Sequence, residues 1–554
     1  MSRKYFSIFL LMVVMICCVS AASATDVDNI TVPDDTNIIT DDIVESVDDV
    51  EIDDVSGSDD VETDDSVSES VDDVEITDAN KIIGENNGPS RTPITPTNYN
   101  QYFDDLTGEM FSSTNSPLVF SGTFSNLDFE NFIINKNYTT IDATNAVFYD
   151  VGFSLIKGNI TLTGGTFITT TSTSVNHVID ISAGDVKVSG VTMNLNAPSN
   201  KEFVAINVAG DTNAKILNNV ITYNCTYKNA GYINYVIRVK NSPNALITGN
   251  KITAYLPLKD VNYGGSGTAM DMDQVAAVGI ESSKEFNLSY NDIKVNVSCV
   301  TGWYPTLDSV IVLDSEDAYI GHNNVTEIDN VTQIGSADYL YAIDVYRCNH
   351  LNIDGNNIKL WSMGGSFINN TLGTSTAYGI QLTGGHNVTI ANNDIDTRNN
   401  GPNAGIYSQN FGGPTNLTIV NNTIYAEGNA GSSSWSLVTG MELQDNYGYI
   451  AGNKITVNNK QGYVQGSNAY GISFSQYGMA APKFNITNNC VNLINGDYAV
   501  YIQYSGNASY VTNNCLHSTN YSGDNAVYHV TNVVISNNYY CGNCTNCTNC
   551  PVYP

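Results

Sequence analysis

Basic residues are scarce in this sequence. Only 22 of its 554 residues are Lys or Arg, against 56 Asp and Glu, and the formal net charge is −34. Nucleic-acid binding requires clustered Lys and Arg that neutralise phosphates, so this composition argues against it. The six His residues are scattered, without a pair at ligand spacing, which argues against a His-based metal site.

Long apolar runs are also rare, and one of them is at the N-terminus. Arg3 and Lys4 precede the apolar run Ile8 to Val19, and the small residues Ala22-Ser23-Ala24 follow it. This pattern predicts an export signal over residues 1–24, cleaved after Ala24. The alternative is an uncleaved anchor, although so short a run does not span ~30 Å of hydrocarbon as a helix. No later segment predicts a transmembrane span, so the protein is expected to be extracellular or at the cell surface.

The negative charge is concentrated behind this signal. Residues 25–80 contain 22 Asp and Glu and no Lys or Arg, and the octapeptide ESVDDVEI occurs at Glu45–Ile52 and again at Glu69–Ile76. Low complexity and like-charge repulsion predict a disordered acidic tail over residues 25–97. It would serve as a solubilising linker, a spacer or a loose binder of cations.

The rest of the chain is polar without being ionic. Asn, Thr, Ser, Gly and Tyr are abundant, and the chain contains seventeen N-x-[ST] sequons, which accept glycans where the secreting cell has the machinery. A glycoprotein is therefore expected, with only some of the sequons used. Among them are Asn137, Asn159, Asn287, Asn324, Asn387, Asn416 and Asn485.

A repeated hexapeptide predicts the fold. The pattern I-x-x-N-x-I, with Leu, Val or Tyr replacing some Ile residues, occurs eleven times, and successive copies are 24 to 41 residues apart. The fourth position is always Asn: Asn219, Asn250, Asn291, Asn323, Asn356, Asn393, Asn422, Asn453, Asn489, Asn514 and Asn538. Each period has the length of one coil of a parallel β-helix, which repeated β-sandwich turns would not reproduce.

We expect these Asn residues to occupy left-handed corners, because Asn tolerates that conformation, and to stack as an internal ladder of amides. Short alternating runs such as Tyr341–Val345 predict a second strand in each coil. The fold class is therefore all-β, a right-handed parallel β-helix over residues 131–540. A cap is predicted over 98–130, in which Tyr99, Phe103 and Leu106 share a helical face, and a Cys-rich tail over 541–554.

Several of these segments together resemble a known class of surface proteins. The acidic tail, NYNQYFD at Asn98–Asp104, SGTFSN at Ser121–Asn126 and the Asn repeats together resemble the Asn/Thr-rich adhesin-like surface proteins of methanogenic archaea. The resemblance covers the mature chain and implies an envelope role in adhesion or in contacts with polysaccharides, neighbouring cells or other surface proteins. The β-helix repeat is also similar to that of pectate lyases, polygalacturonases and phage tailspikes, so it constrains the fold better than the activity.

An enzyme of this fold would carry carboxylates on the outward face of adjacent coils. The predicted outward column is Asp180, Asn207, Arg238, Glu281, Val312, Asp344, Gln381, Tyr407, Glu442, Ser473, Tyr501 and Tyr528. Glu281 and Asp344 would lie two coils, ~9.6 Å, apart, which is the outer limit for an inverting glycosidase pair. Val312 separates them, and the Asp-Asp, Gly-His-Gly and basic signatures of the related enzymes are missing. No catalytic residue is therefore assigned.

The remaining candidate sites are an aspartate pair and a cluster of cysteines. Asp271 and Asp273 form an isolated DxD pair, which is too weak a pattern to assign a metal site. Cys541, Cys544, Cys547 and Cys550 are spaced almost like the cysteines of a bacterial ferredoxin motif. The ferredoxin motif has three residues before its last Cys, whereas this sequence has two. Disulfides within the chain or to another envelope protein are expected for an exported protein. A metal site or an iron–sulfur cluster is the alternative, and no cofactor is assigned.

Two further cysteines follow ladder Asn residues directly. Cys490 and Cys515 occupy the same place in consecutive repeats, so their Cα atoms are expected ~4.8 Å apart, within disulfide range. They are either bridged or packed as two thiols. The sequence as a whole predicts a noncatalytic, adhesin-like surface protein that binds polysaccharide or other envelope components, with a β-helical polysaccharide lyase or glycoside hydrolase as the alternative.

Overall fold

The computed structural model describes residues 93–540 except 200, 211, 226–233, 261–274, 302–304, 331–338, 363–375, 410–415, 431–436, 445–446, 461–467, 475–482, 504–508 and 530–531. The predicted signal at 1–24 and residues 25–92 of the acidic tail lie outside the described residues. So do Asp271 and Asp273, and the four C-terminal candidates Cys541, Cys544, Cys547 and Cys550.

Strands account for nearly all regular structure in the described residues, with two short 3-10 helices at Tyr99–Gln101 and Gly523–Ala526. The strands are β1 (Leu118–Phe124), β2 (Asn131–Ile134), β3 (Thr140–Tyr149), β4 (Gly152–Leu155), β5 (Thr161–Thr163), β6 (Thr166–Ile168), β7 (His177–Ile181), β8 (Lys187–Ser189), β9 (Thr192–Asn196), β10 (Phe203–Ala209), β11 (Lys215–Leu217), β12 (Val220–Asn224), β13 (Asn234–Lys240), β14 (Leu246–Thr248), β15 (Lys251–Asp260), β16 (Val275–Glu281), β17 (Asn287–Ser289), β18 (Asp292–Thr301), β19 (Pro305–Leu313), β20 (Tyr319–Gly321), β21 (Asn324–Asp329), β22 (Tyr339–Tyr346), β23 (Asn352–Asp354), β24 (Asn357–Ser362), β25 (Thr376–Thr383), β26 (Val388–Ala391), β27 (Asp394–Asn399), β28 (Asn403–Gln409), β29 (Asn416–Val420), β30 (Thr423–Gly428), β31 (Val438–Gln444), β32 (Tyr447–Ala451), β33 (Lys454–Asn459), β34 (Ala469–Phe474), β35 (Phe484–Thr487), β36 (Cys490–Ile494), β37 (Tyr498–Ile502), β38 (Ser509–Thr512), β39 (Cys515–Ser518), β40 (Val527–His529), β41 (Val533–Ser536) and β42 (Tyr539–Tyr540).

These strands wind into a right-handed parallel β-helix, as the repeats predict. Each strand from β4 to β39 pairs in parallel with the strand three later in the chain, one coil further along. Sheet A contains β2, β4 and every third strand from β7 to β40, sheet B every third strand from β5 to β41, and sheet C every third strand from β6 to β42. The long strands β1 and β3 serve both sheets B and C. A short antiparallel contact joins β15 to β19.

The hexapeptide forms the corner between sheets B and C. Its first residue points inward from sheet B, where Ile216 lies opposite Ile247, and its sixth points inward from sheet C, where Ile221 lies opposite Ile252. These side chains are at most 1% exposed. Burying an Ile side chain contributes ~1.5–3 kcal/mol, so the two columns of aliphatic residues supply much of the driving force that stacks the coils.

The ladder Asn residues stack between those two columns. From Asn219 to Asn538, each side-chain Nδ2 donates to Oδ1 of the Asn in the next coil at 2.9 to 3.0 Å. The same Oδ1 accepts the backbone N–H of the donating Asn, and Nδ2 also reaches a backbone carbonyl. Val191, at the equivalent place in a degenerate repeat, begins the column by donating its N–H to Asn219. The amides thus satisfy one another where water is excluded.

The left-handed corner residue is not the ladder Asn. A positive φ occurs at the third position of every repeat, for example 54° at Asn218 and 68° at Gly249, and at none of the eleven ladder Asn residues, all of which the structure describes. The expectation that the ladder Asn itself adopts this conformation was therefore wrong. The preceding residue turns the chain, and the Asn is left free to point its amide inward. Tyr290 and His322 adopt the left-handed conformation despite their bulk.

A second internal corner column was not predicted from the sequence. The backbone N–H of Ser242 donates to Oγ of Ser283, and that of Ser283 donates to Oγ of Ser315, each at 3.1 Å. Cys348 continues the column and its thiol donates to the carbonyl of Tyr346. Ser is common throughout this chain, so composition and spacing gave no signal for this column.

The N-terminal end of the interior is filled by phenylalanine. Phe103 is fully buried, with its ring centroid 4.9 Å from that of Phe132, and Tyr99 packs edge-on against the same ring. Leu106, expected to share their face, is 70% exposed, because the chain leaves the 3-10 helix before reaching it. Parallel pairing begins before the predicted coils: Ile94 lies opposite Phe120, and the first paired strand starts at Leu118, inside the range predicted as the cap.

Cys490 and Cys515 lie opposite each other in β36 and β39. Cys490 is disulfide-bonded, whereas Cys515 keeps its thiol, so the two are not joined to each other. Neither a 490–515 bridge nor a pair of thiols, the two alternatives considered from the sequence, describes them. Adjacent in-register side chains run parallel, which does not favour the dihedral near ±90° that a bridge between them requires.

Candidate functional site

The outward side of sheet A carries the polar column predicted from the sequence, with two corrections. Arg238 lies opposite Gly279, Gly279 opposite Ile311, and Ile311 opposite Asp344. Glu281 and Val312 were therefore placed in this column wrongly. Glu281 lies opposite Lys240 and forms an ion pair with it at 3.0 Å, and Val312 points into the interior.

The error has a physical cause. The strands β16 and β19 are apolar on both sides, because Ile311 and Leu313 pack outside the coil against Val204, Tyr235 and Ala276. A strand buried on both faces has no alternation from which its register can be read. The supposed spacing of Glu281 and Asp344 therefore does not apply. The remaining predicted members are in register: Asp180, Asn207, Arg238, Asp344, Gln381, Tyr407, Glu442, Ser473, Tyr501 and Tyr528.

An ionic cluster occupies the N-terminal part of this face. His177 Nδ1 lies 3.1 Å from Asp180 and its Nε2 lies 3.7 Å from Glu202, which also binds Arg238 at 2.8 Å. Burial lowers the pKa of His177, but hydrogen bonds and charge from the two carboxylates outweigh it and raise that pKa to about 9. Asn207 donates to Asp180 at 2.7 Å. The two basic side chains and the two carboxylates neutralise one another, so the cluster is best explained as a structural network of ion pairs.

Two buried carboxyl groups lie near the middle of the face. Asp308 lies opposite Tyr341, three residues before Asp344 in the next coil, and the two Asp side chains are 1% and 2% exposed. Burial raises the pKa of Asp344 to about 7; burial and the charges of Asp344 and Glu327 raise the pKa of Asp308 well above its usual range. Oδ1 of each Asp lacks a hydrogen-bond partner among the described residues. Burial therefore favours the protonated form of both groups.

Glu442 lies further along the same column. Burial raises its pKa to about 7, although it accepts a hydrogen bond from Gln444 at 3.0 Å. Beside it the rings of Tyr378 and Tyr407 stack with centroids 4.5 Å apart and planes 1° apart. Gln381 and Tyr407 lie between Asp344 and Glu442 in the column, so the backbones of the two carboxylates are three coil spacings, ~14 Å, apart. That exceeds the separation of any glycosidase pair.

Stacked tyrosines cover the C-terminal end of sheet A. The ring of Tyr501 lies 4.3 Å from that of Tyr470 and 4.9 Å from that of Tyr528, with interplanar angles of 13° and 16°. Alongside, Tyr498 stacks on Tyr521 at 4.9 Å and 4°. Tyr521 and Tyr528 are 37% and 40% exposed. We call Tyr470, Tyr498, Tyr501, Tyr521 and Tyr528 the tyrosine strip.

The tyrosine strip has the properties of a rigid, uncharged contact surface. Burial and the hydrogen bond with Tyr521 raise the pKa of Tyr498 to about 12, so its phenol stays neutral. The strands below fix the rings, which therefore lose little entropy on contact with a ligand. The outward column predicted from the sequence contained Tyr501 and Tyr528. It did not contain Tyr498 and Tyr521, because they lie outside the outward positions of the alternating strands that defined this column.

Groups suited to other chemistry are few in the described part of the chain. No group of three or more His, Cys, Asp or Glu side chains there is arranged to hold a metal ion. Glu327 points into the interior and receives a hydrogen bond from Ser309 Oγ at 2.6 Å, and burial raises its pKa well above its usual range. Among the described residues, no helix is both long and apolar enough to pass through a bilayer.

Comparisons with known proteins give matches only among solved structures. No family model matches the chain, and no curated protein matches it in sequence. The structure is similar to a periplasmic alginate epimerase, AlgG, with 9% identity and a TM-score of 0.33 over 74% of this chain and 78% of that chain. It is similar to the A-module of the Azotobacter vinelandii mannuronan C-5 epimerase AlgE6, with 10% identity and a TM-score of 0.31 over 77% and 91% of the two chains. PfbA, a surface adhesin of Streptococcus pneumoniae, matches with 13% identity and a TM-score of 0.32 over 65% and 84%.

Proposed function

We propose that the protein is an exported, noncatalytic, adhesin-like protein of the cell surface that binds polysaccharide or other envelope components through its β-helix surface. The tyrosine strip is the observation that carries this proposal. A phenol ring offers a flat apolar face and a hydroxyl, which together match the alternating C–H and O–H groups of a sugar. Rings fixed along the axis of the coil are suited to a linear polymer.

Export is supported by the sequence. The N-terminal pattern of residues 1–24 is typical of a secretory signal, and the polar, weakly ionic composition suits an extracellular surface. The net charge of −34 favours uncharged contacts over binding to polyanions through a basic patch. Partners that offer uncharged contacts include polysaccharides and the exposed parts of other surface proteins.

The enzymatic alternative depends on Asp344 and Glu442, whose pKa values of about 7 suit general acids. Both side chains are at most 4% exposed, and the backbones that carry them are ~14 Å apart. They therefore do not form a catalytic pair around one glycosidic bond. Incubation of the purified protein with a polysaccharide panel is expected to release neither reducing ends nor unsaturated uronates. Release that is abolished by Asp344→Asn would instead establish a lyase or hydrolase.

Removing the two exposed rings of the tyrosine strip is expected to weaken polysaccharide binding. In the double variant Tyr521→Ser with Tyr528→Ser, the loss of two stacking contacts should reduce affinity roughly tenfold. Affinity electrophoresis in gels containing each polysaccharide measures the change. Tyr255→Ser is the matched control, because Tyr255 is 41% exposed but lies on sheet C. Equal retardation of the double variant and the unmodified protein would count against the tyrosine strip as the binding surface.

A further inference from the structure

The disulfide bond of Cys490 has a partner outside the described residues. Cys490 lies on the outward side of sheet C and is disulfide-bonded, whereas Cys225, Cys348 and Cys515 keep their thiols. Cys299 belongs to β18, six coils before β36. Six coils span ~29 Å, and a disulfide joins Cα atoms at most ~7 Å apart, so Cys299 is too distant.

The partner belongs to the cysteines that follow the last described coil. Two cysteines lie in the predicted export signal, and four form what we call the C-terminal cluster, Cys541, Cys544, Cys547 and Cys550. Tyr540 lies opposite Leu516, and Leu516 opposite Val491, so the end of β42 is two coils, ~9.6 Å, from the residue after Cys490. An extended residue spans up to ~3.6 Å, so a cysteine four or more residues after Tyr540 reaches Cys490.

This bond leaves an odd number of cysteines in the C-terminal cluster. Three remain, and three thiols form at most one bridge among themselves. Cys299 is eight coils, ~38 Å, from Tyr539, whereas the ten residues from Tyr540 to Cys550 span at most ~36 Å. An odd cysteine in an exported protein indicates a bond to another molecule.

The surface beside the C-terminal cluster suits a second copy of the chain. Residues 484–554 contain two acidic residues and no Lys or Arg in a chain with a net charge of −34, so two copies approach here with little repulsion. Val534 and Tyr539, in the last described coil, are 47% and 57% exposed. Within the described residues no later strand pairs with β40, β41 or β42, and open strand edges favour contact with another chain.

We infer that the protein forms a covalent dimer through its C-terminal end. One cysteine of the C-terminal cluster is bonded to Cys490 of the same chain, and the odd cysteine is bonded to its counterpart in a second copy, which two-fold symmetry places at the same axis. Each bridge forms by exchange with a small external disulfide such as oxidised glutathione: two cysteine thiols become one disulfide, and the glutathione disulfide is reduced to two thiols.

The dimer would carry two tyrosine strips. Two linked binding surfaces raise the avidity for a polymer without any new contact. The inference rests on the proposed export, because disulfides persist outside the reducing cytosol.

The test uses the protein recovered after secretion by its host and equilibrated with oxidised and reduced glutathione. Light scattering and non-reducing electrophoresis are expected to show a dimer, which dithiothreitol converts to a monomer on the gel. No Lys or Arg follows Lys483, so trypsin would leave these cysteines in one peptide. Chymotrypsin cuts after aromatic residues and Leu, and separates peptide 485–493 from peptide 541–554. The expected cross-linked product contains two copies of each peptide.

The variant Cys490→Ser distinguishes this arrangement from a simple bridge between two tails. Without Cys490 the C-terminal cluster keeps four cysteines, which pair with one another. The covalent dimer should therefore be lost, although Cys490 is not part of the bond between the copies. Cys515→Ser is the matched control, because Cys515 lies opposite Cys490 in the next coil and should leave the dimer unchanged.

Three results would overturn the inference. They are a monomer, a dimer that Cys490→Ser forms as readily as the unmodified protein, and a bond from peptide 485–493 to any peptide other than 541–554. Each of them leaves the proposed function intact, because binding through the tyrosine strip does not require a dimer. A covalent dimer that binds no polysaccharide would count against the proposed function and support this inference.

Discussion

Replacing Asn393 with alanine is expected to lower the free energy of unfolding by roughly 2–4 kcal/mol, because several buried polar groups lose a partner at once. Asn393 Oδ1 accepts both the backbone N–H and Nδ2 of Asn356 at 2.9 Å, and its own Nδ2 donates to Asn422 and to the carbonyl of Ile353 at the same distance. The site is 1% exposed, so water does not replace these bonds without further opening. Urea denaturation followed by far-UV circular dichroism measures the loss.

The same substitution at the end of the column is the control. Asn538 accepts from Asn514 and donates to the carbonyl of Val511, but it is partly exposed and is the last ladder residue of the described coils. Water can substitute there, so Asn538→Ala should cost roughly 1 kcal/mol or less. Equal losses at the two positions would mean that the interior ladder contributes no more than a surface hydrogen bond.

The ladder was readable from sequence because its physical constraint is local and repeated. An Asn that satisfies its neighbours' amides in one coil must do so in all, and the flanking aliphatic residues must point inward with it. The exact corner residue was not readable. Asn218 and Asn219 are both Asn, and only the backbone reveals that the first turns the chain and the second fills the interior.

The face of sheet A was less predictable because its strands have no simple alternation. Asp308 and Glu327 fall outside any sequence column, and their burial depends on packing from several coils.

Stability is expected to be highest in mildly acidic solution and to fall as the pH rises from about 5 to 9. Burial raises the pKa of both Asp344 and Glu442 to about 7, from their ordinary values of 3.8 and 4.5, and raises the pKa values of Asp308 and Glu327 well above their usual range. A group that binds its proton more tightly when folded stabilises the fold fully below its unfolded pKa. That contribution is lost as the pH rises through the folded pKa.

His177 acts in the same direction. Its carboxylate partners raise its pKa from 6.5 to about 9, so its contribution is complete below pH 6.5 and is lost as the pH rises through about 9. Asp180 and Glu202 act oppositely: their pKa values are lowered in the fold, so their contributions are present above their ordinary values near 4 and are lost as the pH falls below them. The pH of maximum stability therefore lies above the ordinary pKa values of Asp and Glu and below the raised pKa values of Asp344 and Glu442.

Melting temperatures measured from pH 4 to 9 check this profile, and isosteric variants assign it. Glu442→Gln and Asp344→Asn keep the side-chain shapes but cannot ionise, so each should raise the melting temperature at pH 8 and change it little at pH 5. One pKa unit corresponds to about 1.4 kcal/mol, so removing the cost of ionising one of these groups should stabilise the fold at pH 8 by a few kcal/mol at most. The exposed carboxylate variant Asp394→Asn is the control and should follow the unmodified profile. A melting temperature that rises steadily from pH 5 to 9, or a profile that Glu442→Gln and Asp344→Asn leave unchanged, would mean that these carboxyl groups ionise in the folded protein without cost.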